Sequence, residues 1–147
     1  MKLNSLKISY KYRAKISVAI GFISLICLSV FLIFGYITDF LKIGFILQIY
    51  PLFYFHVSNL AISIIFYSGI GYAWLLFGVK FKFVALLGVF TVAANLICES
   101  PIMGFMNTPD YIDAIYGIVG TMISFLFLIF TYKYGLIDCK SDKDNTV

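Results

Sequence analysis

The sequence predicts an all-α integral membrane protein with four transmembrane helices and both termini in the cytoplasm. Three observations carry this reading: an apolar composition, long runs almost free of charge, and basic residues gathered on one side of those runs. Of 147 residues, 62% are hydrophobic and only 12% charged, whereas soluble domains are nearer half apolar. The length accommodates about four spans with short loops and no separate soluble domain.

The organisation follows as a basic N-terminus over residues 1–15, a transmembrane domain over 16–132 and a polar tail over 133–147. The expected spans are 16–37, 51–79, 83–100 and 109–132. The first, Ile16 to Ile37, carries no formal charge and is long enough to cross about 30 Å of hydrocarbon at roughly 1.5 Å per residue. Its competitor is a secretory signal peptide, with Lys2, Lys7, Lys11, Arg13 and Lys15 as the basic leader. The apolar run exceeds the usual core of about 7–15 residues and no small-residue cleavage site follows, so it reads as an uncleaved anchor.

The second run, Pro51 to Val79, has His56 as its one titratable group besides tyrosines. The third, Phe83 to Cys98, is short for a span and is expected to extend through Glu99 until Pro101 breaks it. For the fourth, Thr108 is expected to cap, Pro109 to take the first helical position and Asp110 to sit in the first turn. The segment FLKIGFILQIY is too apolar for an ordinary loop and too short to cross, and reads as an interfacial or re-entrant piece. The tail from Lys133 is expected to be disordered.

Ten of the eleven Lys and Arg residues flank one side of this threading and only Lys42 lies on the other, so both termini are assigned to the cytoplasm. Tyr36, Tyr50, Tyr54 and Tyr111 then fall near the outer boundary as an aromatic belt. Cys27, Cys98 and Cys139 lack any CxxC or zinc-like spacing and read as free thiols. No repeat, nucleotide loop or nucleic-acid motif is present. The basic N-terminus is first a topology signal and second a contact for anionic lipid.

Threaded up and down, the rare polar residues meet at the outer end. His56 and Asn59 fall near the start of span two, with Ser63 on the same stripe; Asn95 and Glu99, four apart, end span three; Asp110 and Asp113 begin span four. Gly117, Gly120 and Ser124 continue the Asp113 stripe and read as helix packing, which turns Asp113 toward the bundle. Carboxylates near a bilayer are costly and usually face a bundle interior or a water-filled cavity. A structural reading has Asp110 on the helix dipole, Glu99 at the boundary and His56 satisfied by a carbonyl or amide. A functional reading has Glu99, Asp113 and His56 lining an outward pocket for a cation, a metal, a polar headgroup or acid–base chemistry, and the expected ligand pocket adds Asn59, Asn95 and Asp110. No metal is assigned, because ligands at fixed short spacing are absent, and no cofactor is expected.

NLICESPIMGFMNTPDYIDAIYGIVGTMIS and PLFYFHVSNLAI resemble the signature of VanZ-like membrane proteins. In that family the third helix ends in Glu, a short outer loop leads to an Asp-x-x-Asp pair, and the fourth helix carries small residues. Glu99, Asp110, Asp113, Gly117, Gly120 and Ser124 occupy those places, and His56 matches a histidine near the start of the family's second helix. The resemblance covers roughly two thirds of the chain. It departs at Ile102, where the family has Gln, at Asn107, where it has Arg, and at Gly117, where it has Asn. Without the arginine the loop lacks a bidentate clamp for an anionic group.

The resemblance implies a role in the bacterial cell envelope, in the cytoplasmic membrane, with some relatives linked to glycopeptide-antibiotic tolerance. The leading expectation is a protein that contacts membrane lipids and binds a lipid-linked, glycan or peptide ligand in the outer pocket. The alternatives are a membrane hydrolase or transferase using Glu99 or Asp113 as base, and a non-catalytic subunit of a membrane complex. A proton-coupled transporter is disfavoured, since the acids sit at an edge and not at mid-membrane.

Overall fold

A computed structural model describes residues 10–38, 42–100 and 110–139. Within them, four helices are long and apolar enough to cross a membrane. They are α1 (Ile16–Ile37), α3 (Phe53–Leu76), α4 (Phe81–Cys98) and α5 (Tyr111–Phe130), the last continuing as a π-helical turn over Thr131–Gly135. A one-and-a-half-turn helix, α2 (Gly44–Ile49), lies between α1 and α3. Two short strands, β1 (Tyr12–Ala14) and β2 (Leu136–Asp138), pair antiparallel.

The four long helices alternate in direction. At one end, Lys11 N–H bonds the Leu76 carbonyl at 3.1 Å and Lys15 N–H bonds the Gly135 carbonyl at 2.8 Å. This end therefore gathers the start of α1, the end of α3, the start of α4 and the end of α5. It holds Lys11, Arg13, Lys15, Lys80, Lys82 and Lys133. The opposite end gathers the end of α1, α2, the start of α3, the end of α4 and the start of α5. Lys42 is the one basic residue described there, just ahead of Ile43, whose N–H bonds the Tyr54 hydroxyl at 2.9 Å.

The bounds of three helices and of the tail differ from expectation, α3 running Phe53–Leu76 inside the expected 51–79. Helix α4 gains length at its start, through Phe81 and Lys82, and Glu99 is its C-cap and no part of the helix. Lys82 is tolerated in the first turn because a lysine stem can lie along apolar surface with its ammonium at the edge, here 5.2 Å from the Phe83 ring. Helix α5 begins at Tyr111, capped by Asp110, whose Oδ1 accepts from Ile112 N–H at 2.9 Å. Asp110 thus takes the role assigned to Thr108. Thr108, Pro109, Asn107, Ile102 and Pro101 themselves lie outside the described residues. The described part of the tail is structured: Lys133 to Gly135 extend α5, and Leu136–Asp138 pair with β1. Residues 1–9 and 140–147 are outside the described residues.

Helix α3 ends in a glycine-dependent stop. Gly78 has φ +79°, and Gly78 and Val79 return their N–H groups to Leu75 and Trp74 at 3.0 Å each, the Schellman arrangement that satisfies terminal carbonyls. The core lies toward this basic end, where Tyr67, Leu75, Val84 and Leu128 are buried together. Phe22 and Tyr72 stack across α1 and α3 with centroids 4.2 Å apart.

Helices α3 and α5 share the most extensive interface, and small residues make it possible. A Cβ at Gly120 would overlap the backbone of Leu60. One turn on, Ser124 Oγ donates to the Ile64 carbonyl at 3.3 Å. Such close approach maximises dispersion contacts between the two helices.

Candidate functional site

At the end opposite the basic residues, three helices contribute polar side chains. The first turn of α3 supplies His56, and one turn later Asn59. The end of α4 supplies Asn95 and its C-cap Glu99. The start of α5 supplies the N-cap Asp110 and the first-turn Asp113.

His56 is buried at 8% exposure, and its Nδ1 lies 2.8 Å from Asp113 Oδ1 and 3.6 Å from Asp110 Oδ2. The shorter contact is a hydrogen bond, charge-assisted when the ring is protonated. The ring of Tyr116 lies beside His56 with centroids 5.7 Å apart, and Phe53 packs edge-on against Tyr116. Tyr116 follows Asp113 by three positions and so shares its helix face; that spacing is the signal that could have added it to the site.

Glu99 is also buried, at 6% exposure. Its carboxylate accepts from Asn59 Nδ2 at 3.4 Å and from the backbone of Asp110. Burial pushes the Glu99 carboxyl up from its ordinary value, and the like charges of Asp113 and Asp110 push the same way, while the two hydrogen bonds oppose them. The folded chain therefore holds this proton more tightly than the unfolded one, so Glu99 contributes stability at low pH that is lost as pH rises through its raised value. Glu99→Gln keeps an acceptor for both donors and removes the buried charge. It is expected to raise the thermal midpoint at neutral pH, with the gain shrinking as pH falls toward 4.5. Melting curves of the purified variant across that range check the sign.

One turn below, Asn95 links α4 to α3. Its Nδ2 donates to Ser63 Oγ at 3.1 Å and to the Thr91 carbonyl at 2.9 Å, and Ser63 Oγ faces its Oδ1 at 3.3 Å. Asn95 also occupies the space that a Cβ on Gly117 would need. Gly117 is therefore a seat for Asn95, whereas Gly120 is a backbone-to-backbone contact.

Together with Ser63, the six polar residues fall into two linked groups: His56 with Asp110 and Asp113 between α3 and α5, and Asn59 with Glu99, Asn95 and Ser63 between α3 and α4. Glu99 joins them through Asp110. In the first group one ligand atom from each residue lies within 4.8 Å of the others. An imidazole nitrogen with two carboxylate oxygens is a donor set that a divalent ion accepts, and it is equally a self-sufficient His–Asp pair. Short-range spacing could not reveal it, because His56 and Asp113 are 57 positions apart.

The second group opens into a groove of about 270 Å³ between α3 and α4, lined by Asn59, Ser63, Asn95 and Glu99 toward the helix ends and by Ile62, Phe66 and Phe90 further in. Cys98 stands at the same mouth. This groove is absent from the sequence reading, because it depends on where two helices diverge. Comparison with models of known families, with curated proteins and with solved structures gives no match to this chain.

Proposed function

We propose that the chain is a VanZ-like protein of the bacterial cytoplasmic membrane. In this reading both termini are cytoplasmic and the polar site faces outward, where it binds a lipid-linked, glycan or peptide ligand of the cell envelope. One observation supports this above the others: six polar side chains from three helices converge at the end opposite six of the basic residues. Lysine and arginine accumulate on the cytoplasmic side of membrane proteins. Polar and ionisable groups inside a bundle end mark a site more often than a lipid-facing surface, because leaving them in hydrocarbon is costly.

The test is a Glu99→Gln, Asp113→Asn double variant expressed at the wild-type level in a host whose tolerance to envelope-active glycopeptides is scored. Altered tolerance is expected. Unchanged tolerance at normal protein level contradicts an envelope-ligand role for this site.

A second reading rests on the 2.8 Å contact between His56 and Asp113. A histidine oriented by a carboxylate is the arrangement of a general base, which would activate a water for hydrolysis of a lipid-linked substrate. Turnover of a polyprenyl or phospholipid substrate, lost in Asp113→Asn, would move this reading to first place.

A further inference from the structure

The groove between α3 and α4 has a polarity gradient, and its direction carries information. Starting at the helix ends, its walls run from Glu99, Cys98 and Asn59, through Asn95, Ala94, Ser63 and Ile62, to Phe66, Phe90 and Thr91, whose hydroxyl is turned back onto the Leu87 carbonyl at 2.8 Å. Two contacts fix its ends. Asn59 meets Glu99 at the polar end. Deeper in the bundle, Tyr67 donates to the Val84 carbonyl at 3.1 Å, and its hydroxyl lies where a Cβ on Gly88 would stand. Between them the helices part, and Ile62, Phe66 and Phe90 are 55%, 45% and 64% exposed on the outer surface of the bundle. The groove is thus open sideways, toward the surface that four membrane-crossing helices present to lipid. Its gradient matches a lipid molecule in the leaflet at that end, with the head level with the helix termini and the chain pointing to the bilayer centre.

Charge narrows the class of head. Among the described residues, the lining contains one formally charged residue, Glu99, and no Lys or Arg. Asp110 stands directly behind Glu99, its backbone bonded to that carboxylate. An anionic head would meet like charge there without a cationic partner in the groove wall, whereas an ammonium would find a carboxylate and the amide oxygens of Asn59 and Asn95. The volume is comparable to the lower end of small-molecule pockets, about 300 Å³, which suits one chain segment and part of a head.

We infer that this groove takes, laterally from the bilayer, one chain of a lipid whose headgroup carries an ammonium group, with the ammonium at Glu99 and Asn59 and the chain along Ile62, Phe66 and Phe90. This rests on the reading that the polar end is a ligand site, and it names the class of ligand.

The full chain in phosphatidylglycerol nanodiscs, a host without an ammonium group, is doped with a trace of either phosphatidylethanolamine or phosphatidylglycerol, both bearing the same photoactivatable acyl chain. After illumination, label on each helix is mapped by mass spectrometry. Ile62, Phe66 and Phe90 are expected to be labelled about tenfold more by the ethanolamine lipid, the equivalent of one charge-assisted hydrogen bond. Leu86 and Leu126, exposed on α4 and α5, serve as ordinary lipid-facing references with no preference. Glu99→Gln is expected to remove the preference while leaving chain labelling. Ala94→Trp, which fills the groove, is expected to remove labelling of Phe66 and Phe90 by both lipids; Ile62→Trp at the mouth replaces it if that variant does not accumulate. Equal labelling by the two lipids in the wild type, or preference for the glycerol lipid, overturns the inference. The outcome separates from that of the tolerance assay. Selective labelling with unchanged tolerance leaves a lipid site without the envelope phenotype, and altered tolerance without selective labelling leaves a site whose ligand arrives from water.

Discussion

Gly120→Ala is expected to destabilise the protein by ~2 kcal/mol, within the range that overpacking of a close interface usually costs. The added methyl meets the carbonyl oxygen, carbonyl carbon and Cα of Leu60. Those are backbone atoms of a helix and have no rotamer to swing away, so α3 and α5 must separate along their whole shared face. The Ser124 to Ile64 bond lengthens with them. Gly117→Ala displaces a side chain instead, and is expected to act through loss of the Asn95 bonds to Ser63 and Thr91. Gly69→Ala is the control within α3: nothing lies within 4 Å of its added Cβ, and alanine is a better helix former by up to ~1 kcal/mol. Denaturant or thermal midpoints in one detergent rank the three. Equal effects at 120 and 69 would contradict close packing of α3 on α5.

His56→Ala and Asp113→Ala are each expected to cost ~2 kcal/mol, as the loss of a hydrogen bond to a charged group usually does. The double variant should cost clearly less than their sum, because either change alone leaves a partner stranded. A coupling energy of ~1 kcal/mol or more is expected from a thermodynamic cycle at fixed pH. Asp110→Ala is expected to cost ~1 kcal/mol through its cap to Ile112, and to be nearly additive with His56→Ala, since Asp110 stands further off at 3.6 Å. Strict additivity between 56 and 113 would mean that the 2.8 Å contact contributes nothing to stability.

The four long helices were legible because a span is a local property: length and absence of charge suffice. Their ends were less legible. Lys82 lies inside α4 with its ammonium 5.2 Å from the Phe83 ring, and Asp110 caps α5, aspartate being the stronger cap of the two candidates Thr108 and Asp110. The pairing of Leu136–Asp138 with Tyr12–Ala14 joins segments from opposite ends of the chain, and no local pattern announces it.

The candidate site was legible in outline and obscure in detail. Alternating helix direction is enough to bring residues 56, 59, 95, 99, 110 and 113 to one end. Which of them meet depends on helix rotation and register, so the pairing of His56 with Asp113 and of Asn95 with Ser63 had to come from the fold. Tyr116 does not stand out in the sequence, because an aromatic near the start of an apolar helix reads as belt or core.

Cysteine accessibility tests the proposed outward orientation of the site most directly. In a variant with Cys27, Cys98 and Cys139 replaced, single cysteines at Glu99, Asp110, Asp113 and Lys133 are exposed to a membrane-impermeant maleimide on intact cells and after permeabilisation. Positions 99, 110 and 113 are predicted to react on intact cells, and 133 only after permeabilisation. Reaction at 133 alone on intact cells would invert the orientation, and failure at 99 and 113 under both conditions would make the carboxylates a sealed structural cluster.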